Sequence, residues 1–155
     1  MINKSFKSID FKDLLFVILY TLVLSIPLGF VLAFIDYYLQ TSISFTFSDL
    51  LYLIIAIYIG RTIRNIIKEP HIVYTIIAAI GMIISWLIII LLPDVYAFGL
   101  SLGNPYIIFD IRYYLYNGII ILNPVNWVTD FSLPYLISLL VLVVGMYLGI
   151  SRTVR

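Results

Sequence analysis

One serine of this chain stands in a pattern that hydrolases use. Gly99, Ser101 and Gly103 form a G-x-S-x-G sequence, which in hydrolases places a nucleophilic serine on a strained strand-to-helix turn. Such a serine needs a base within hydrogen-bond reach. The only histidine, His71, precedes the uncharged run 72–92, and we expect that run to separate it from Ser101. We therefore interpret the pattern as a flexible loop and predict no catalytic residue.

Metal ligands are equally scarce in this chain. It contains no cysteine and one histidine, so a structural zinc site would lack its usual ligands. The acidic residues that we expect on the outer side fall in three separate loops, and a calcium or magnesium site could only be assembled from them in three dimensions. We predict no metal and no cofactor.

A basic turn stands between two apolar runs. Arg61, Arg64 and Lys68 follow i, i+3, i+7 spacing and therefore share one helix face. The favoured interpretation is an anchor that fixes membrane topology and needs no ligand. The alternative is a functional patch that holds an anionic lipid headgroup or docks an acidic partner.

Asp110 and Arg112 are the most informative charges of the last outer loop. Two residues apart on a helix they do not face each other, whereas on a strand they share a face. We expect solvated charges on a helix at the lipid surface. The alternative is an ion pair or a contact with a partner on the outer surface.

The elements that position these residues follow from composition. The chain is 63% hydrophobic and 11% charged, against about 45–50% and about 25% in soluble domains. A span of about 20 apolar residues crosses the roughly 30 Å hydrocarbon layer. We predict one all-α membrane domain over 1–155, a bundle of four transmembrane helices at about 14–35, 50–67, 72–92 and 133–150. The net charge of +1 does not indicate binding to nucleic acid.

Prolines and small residues shape the expected spans. Pro27 predicts a kink in the first span, and Pro93 with Asp94 predicts the end of the third. Residues 36–48 are expected to form a polar connection. Small residues at helical spacing allow close contact between helices. These are Gly29, Ala33, Ala78, Gly81, Ser85, Gly145 and Gly149.

The segment between the third and fourth spans carries the signals of a short helix. Asn104 and Pro105 are typical of a helix start, and Asn117 with Gly118 of a helix end. We expect residues 105–117 to form a helix in the outer interface. Residues 118–122 extend that helix, form a strand, or dip into the membrane as a re-entrant segment.

The distribution of charge predicts the orientation. With a cytoplasmic amino terminus, the outer loops hold only Arg112 among the nine basic residues, and both termini are cytoplasmic. The inner segments hold Lys4, Lys7, Lys12, Arg61, Arg64, Lys68, Arg152 and Arg155. The predicted spans contain no ionisable group apart from the boundary arginines, which disfavours ion-coupled transport through a single copy.

One stretch resembles a known kind of protein. Tyr58, Gly60, Arg61 and Arg64, followed by a basic corner and a span beginning near Tyr74, resemble small bacterial four-helix membrane proteins of unassigned function. In those proteins a Gly-x-x-[I/V]-[R/K] pattern ends the second helix. Many members carry a cysteine-rich cytoplasmic head, which this chain lacks. The resemblance implies four spans and residence in a bacterial cytoplasmic membrane, and it supplies no activity or ligand.

The functional prediction is a non-enzymatic membrane component. We expect an accessory or assembly subunit, or an immunity-type protein, acting through helix packing and the inner basic face. Its expected partners are the lipid bilayer and either a larger membrane protein or further copies of itself. The alternative is a small oligomeric transporter or channel for a small solute, and a lipid-handling enzyme comes third.

Overall fold

A computed structural model describes residues 10–67, 71–123, 125–126 and 133–154. The described residues form helices and their connections, with no strand among them, so the all-α prediction is confirmed for this part of the chain. The α-helices are α1 (Phe11–Ile43), α2 (Ser48–Ile66), α3 (Ile72–Ser101), α4 (Ile111–Leu122) and α5 (Leu133–Val154). A 3-10 helix over Pro105–Phe109 precedes α4.

Within the described residues, three helices are long and apolar enough to span a membrane, which fits an integral membrane protein. They are Phe11–Ile43, Ile72–Ser101 and the Leu136–Thr153 part of α5. The remaining long helix, α2, is charged at three of its 19 residues. At 1.5 Å per residue α2 is about 28 Å long, close to the roughly 30 Å of hydrocarbon.

The core lies where α2 and α3 meet the two flanking helices. Both α2 and α3 pack against α1 and against α5. Buried residues of α2 recur every three or four positions, which gives that helix one continuous inner face. The fully or almost fully buried side chains of this core include Val17, Tyr52, Ile55, Ile59, Ile63, Met82, Trp86 and Ile89.

The outer surface of the helices is apolar. On α1, large apolar side chains remain about half exposed. In water this would be a liability, whereas hydrocarbon accommodates such a surface. The exposed set on α1 includes Leu15, Leu19, Leu22, Val23 and Ile26.

The long helices alternate in direction, so two of them begin and two of them terminate at each end of the structure. At one end, the hydroxyl oxygens of Thr75 on α3 and Thr153 on α5 lie 3.5 Å apart. At the other end, the Ser138 hydroxyl of α5 donates to the Asp49 carboxylate of α2 at 3.2 Å. We call the first the basic end, because α1 and α3 begin there and α2 and α5 reach it with their arginines.

The first helix is longer than predicted, and the polar connection after it is correspondingly shorter. α1 continues through Pro27 and past residue 35 to Ile43, so the expectation of a connection over 36–48 is wrong. Ser44, with φ 52°, ends α1. The Asp36 side chain is 2% exposed and accepts the backbone N–H of Phe47, which ties the tight turn to the helix.

The third helix also runs beyond its predicted end. α3 continues through Pro93 and Asp94 to Ser101, so the predicted end of the third span at Pro93 and Asp94 is wrong. The Ser101 hydroxyl donates to the carbonyl of Phe98 at 2.7 Å. Ser101 is therefore the last residue of a helix, and Gly99 lies inside that helix, so the expected flexible loop does not include them.

The last connection forms two helices where one was expected. The predicted helix over 105–117 is interrupted at Asp110, whose side chain caps α4 by accepting the backbone N–H of Arg112 at 3.1 Å. α4 then runs through Gly118 to Leu122, so residues 118–122 extend the helix. It lies antiparallel to α3, with Tyr113 beside Phe98 at the start and Gly118 beside Leu87 further down.

Candidate functional site

An open groove lies at the basic end between α2 and α5. Its volume is about 390 Å³, and Arg61, Arg64, Asn65 and Arg152 line it. Volumes of about 300–1,000 Å³ are typical of ligand clefts. Three guanidinium groups and one side-chain amide together present many N–H donors and a charge of +3. The groove therefore suits a small anionic group.

The close approach of α2 and α5 positions these arginines. A methyl group built on Gly60 would overlap the carbonyl oxygen of Gly149 and lie 2.8 Å from its carbonyl carbon. Only glycine allows the two backbones to meet in this way. Arg61 and Arg64 follow Gly60 on α2, and Arg152 follows Gly149 within one turn of α5. The glycine contact thus brings arginines of two helices to one groove.

The three arginines differ in how they are held. Arg64 is half-buried and its guanidinium donates to the carbonyl of Ile67 at 3.4 Å, next to the end of α2. A cation is favourable there because the carbonyl end of a helix is negative. Arg61 and Arg152 are exposed. In the described part of the chain no carboxylate forms a salt bridge with any of the three.

Other polar side chains at the basic end have local roles. The Asp10 carboxylate accepts the backbone N–H of Lys12 at 3.0 Å and caps α1. The Nδ1 atom of His71 accepts the backbone N–H of Val73 at 3.2 Å and caps α3. Lys68, predicted to share the basic face, lies outside the described residues.

The glycines of α5 both lie against α2. A methyl group on Gly145 would overlap the ring of Tyr52, whose hydroxyl donates to the carbonyl of Leu142 at 3.3 Å. A methyl group on Gly149 would lie 2.6 Å from the carbonyl oxygen of Ala56. The GxxxG pair therefore faces a helix of the same chain in this structure.

The remaining small residues lie between α1 and α3. A methyl group on Gly81 would overlap the Thr21 side chain, and one on Gly29 would lie 3.3 Å from Cγ2 of Ile88. Ala33, Ala78 and Ser85 have no exposed surface. These positions allow α1 and α3 to approach closely and offer no ligand an opening.

Asp110 and Arg112 form an ion pair at the opposite end. The guanidinium donates through Nε at 2.9 Å and through an Nη atom at 2.7 Å, one to each carboxylate oxygen. The structure shows the alternative, an ion pair, in place of the expected solvated charges, because Asp110 is the cap and lies outside the helical turns. Hydrogen bonds from the Arg112 side chain, then from its backbone, hold the pKa of Asp110 below its usual value.

Sequence reasoning missed Asn65 and Arg152 as members of the groove and Gly60 as its support. Arg152 appeared only among the basic residues expected on the inner side, and Gly60 only in the pattern that ends the second helix of the resembling proteins. The sequence did contain a signal of this arrangement, since α2 and α5 both carry a glycine within one turn of an arginine. Which two helices bring their glycines together depends on tertiary packing, which spacing within one helix does not reveal.

No family model, curated protein or solved structure matches this chain. The resemblance of the segment around Gly60 to small bacterial four-helix membrane proteins therefore stays a prediction. In the described residues, no three His, Asp or Glu side chains are grouped as they would be to hold a metal ion.

Proposed function

We propose that this protein is a non-enzymatic membrane component, either an accessory or assembly subunit or an immunity-type protein. It acts through helix packing in the bilayer and through the arginine groove. The observation that supports this proposal most is the convergence of Arg61, Arg64 and Arg152, without a salt-bridge partner among the described residues, at the end of tightly packed helices.

The proposed topology has four membrane spans with both termini on the cytoplasmic side of a bacterial membrane. The basic end then faces the cytoplasm, in agreement with the positive-inside rule. α2 crosses although it is charged, because Arg61 and Arg64 lie near its end and extend towards the headgroups. Its inner face packs against the other helices, and its exposed face carries apolar side chains such as Ile54 and Tyr58.

Cysteine labelling tests this orientation directly, since the chain has no cysteine of its own. Single variants Asn65→Cys and Tyr106→Cys place a thiol at exposed positions of the two ends. In intact cells, a membrane-impermeant maleimide is expected to label Tyr106→Cys only, with both labelled after lysis. Labelling of Asn65→Cys in intact cells would refute the topology.

Copurification tests the function. The tagged full chain, extracted from its own membranes in mild detergent, is expected to elute with a larger membrane protein in fixed stoichiometry. A homo-oligomer that conducts a small solute in liposomes would instead establish the transporter or channel alternative. A monomer with neither property would refute both.

A further inference from the structure

The groove does not stand alone, because an apolar surface lies directly beneath it. Ile54 and Tyr58 of α2 precede Arg61 by seven and three residues, so they lie on the same helix face. Both are more than half exposed, at 56% and 52%. On α5, Leu148 precedes Arg152 by four residues and is 36% exposed. An arginine cluster above an exposed apolar strip matches a molecule with an anionic head and an apolar tail.

The depth of the groove fits a lipid headgroup. Arg61 follows the first residue of α2 by 13 positions, which is about 20 Å along the helix axis, and Arg64 by about 24 Å. With α2 crossing a hydrocarbon layer of roughly 30 Å, Arg61 and Arg64 lie in the last third of that layer, about 10 Å and about 6 Å from its edge, and their long side chains extend towards the headgroups of one leaflet. Basic pockets between membrane helices are known binding sites for anionic lipid headgroups.

We propose that the groove formed by Arg61, Arg64, Asn65 and Arg152 binds the phosphate of an anionic phospholipid, whose acyl chains lie along Ile54, Tyr58 and Leu148. Guanidinium groups bind phosphate oxygens through paired N–H donors. The bound phosphate also lowers the repulsion between arginines of α2 and α5, and so holds the two helix ends together. The proposal rests on the proposed function and names the ligand of the same groove.

A soluble phosphate carries the same anionic group as a lipid headgroup, but it has no apolar part that would contact Ile54, Tyr58 and Leu148. An acidic protein segment could also meet the arginines, yet the exposed apolar residues beneath them face hydrocarbon in the proposed topology. The strip therefore favours a lipid over both.

Lipid binding by the full chain in detergent micelles tests the proposal, with native mass spectrometry counting the bound lipids. The probes are phosphatidylglycerol, zwitterionic phosphatidylcholine and inorganic phosphate. The test variant is Arg61→Gln/Arg64→Gln/Arg152→Gln. The matched control is Arg112→Gln, which removes one arginine at the opposite end. Arg152→Gln alone is a milder variant, because that side chain is exposed.

The wild type is expected to retain phosphatidylglycerol more strongly than phosphatidylcholine. Each arginine removed should weaken phosphatidylglycerol binding about fivefold, and the triple variant by on the order of a hundredfold. Arg112→Gln should bind as the wild type does. Millimolar inorganic phosphate should leave the lipid bound.

Two results would overturn the lipid assignment. One is equal retention of phosphatidylglycerol by the triple and control variants with helix content unchanged. The other is displacement of the lipid by inorganic phosphate, which would make the site one for a soluble anion. If the triple variant lost a copurifying protein but kept its lipid, the groove would be a protein contact, and the accessory function would stand without this inference.

Discussion

Replacing Gly60 by alanine tests the contact that positions the groove. The new methyl group would overlap the carbonyl oxygen of Gly149, an atom of the backbone that no rotamer change can move. The helices α2 and α5 must therefore separate. Overpacking of this kind costs about 1–3 kcal/mol, while alanine in place of glycine inside a helix returns about 0.5–1 kcal/mol. We expect a net loss of about 0.5–2 kcal/mol in the free energy of unfolding.

Gly29→Ala is the matched control for that experiment. Its methyl group would lie 3.3 Å from Cγ2 of Ile88, a side-chain atom that can shift by a few tenths of an ångström. The strain should be small and the helix gain should roughly balance it. Reversible unfolding in mixed micelles, followed by circular dichroism during titration with dodecyl sulfate, compares the two variants with the wild type.

The expected order of stability places Gly60→Ala clearly below both the wild type and Gly29→Ala. If the glycine contact also positions the arginines, Gly60→Ala should lose phosphatidylglycerol although all its charges remain. A Gly60→Ala protein as stable as Gly29→Ala, with full lipid binding, would refute the claim that this backbone contact builds the groove.

Two further predictions concern carboxylates. Asp36→Ala should destabilise the fold by about 1–3 kcal/mol, because it leaves a backbone N–H at the start of α2 without its acceptor; Asp36→Asn, which keeps an acceptor, should lose less in the same unfolding assay. The lowered pKa of Asp110 means that its ion pair stabilises the fold above the usual carboxyl pKa and is lost as pH falls through the lowered value. Arg112→Gln should raise the pKa of Asp110 in a carboxyl-carbon NMR titration, and an unchanged pKa would contradict the role given to the guanidinium.

Helix class and apolar surface could be predicted from sequence because both follow from local composition. Runs without charge placed α1, α3 and α5 correctly as apolar helices. Helix ends were less predictable, since they depend on partners outside the local stretch. In the sequence Asp36 indicates the start of a polar connection. In the structure its carboxylate is buried and accepts the backbone N–H of Phe47 in the turn that follows α1. Pro93 reads as a stop, yet α3 continues to Ser101.

The candidate site was predictable only in part for the same reason. The shared face of Arg61 and Arg64 follows from helical spacing, whereas the addition of Arg152 requires knowing that α2 packs against α5. The ion pair of Asp110 with Arg112 was only the alternative interpretation, because the spacing rule applies within a helix, and Asp110 stands just before one. In both cases the missing information is tertiary or lies at a helix boundary.

α2 carries both the backbone contact of Gly60 with Gly149 and two arginines of the groove, Arg61 and Arg64. Its apolar inner face packs against α1, α3 and α5, and contacts such as that of Gly60 with Gly149 stabilise it. Because its neighbours hold α2 in place, α2 tolerates arginines near its end. In an isolated span, such arginines would shift the helix along its axis towards the headgroups. The contact of Gly60 with Gly149 also brings the arginines of α2 and α5 close together. A ligand that neutralises these arginines would therefore strengthen the packing of the two helices. Binding and stability are therefore expected to change together when either the glycines or the arginines are altered.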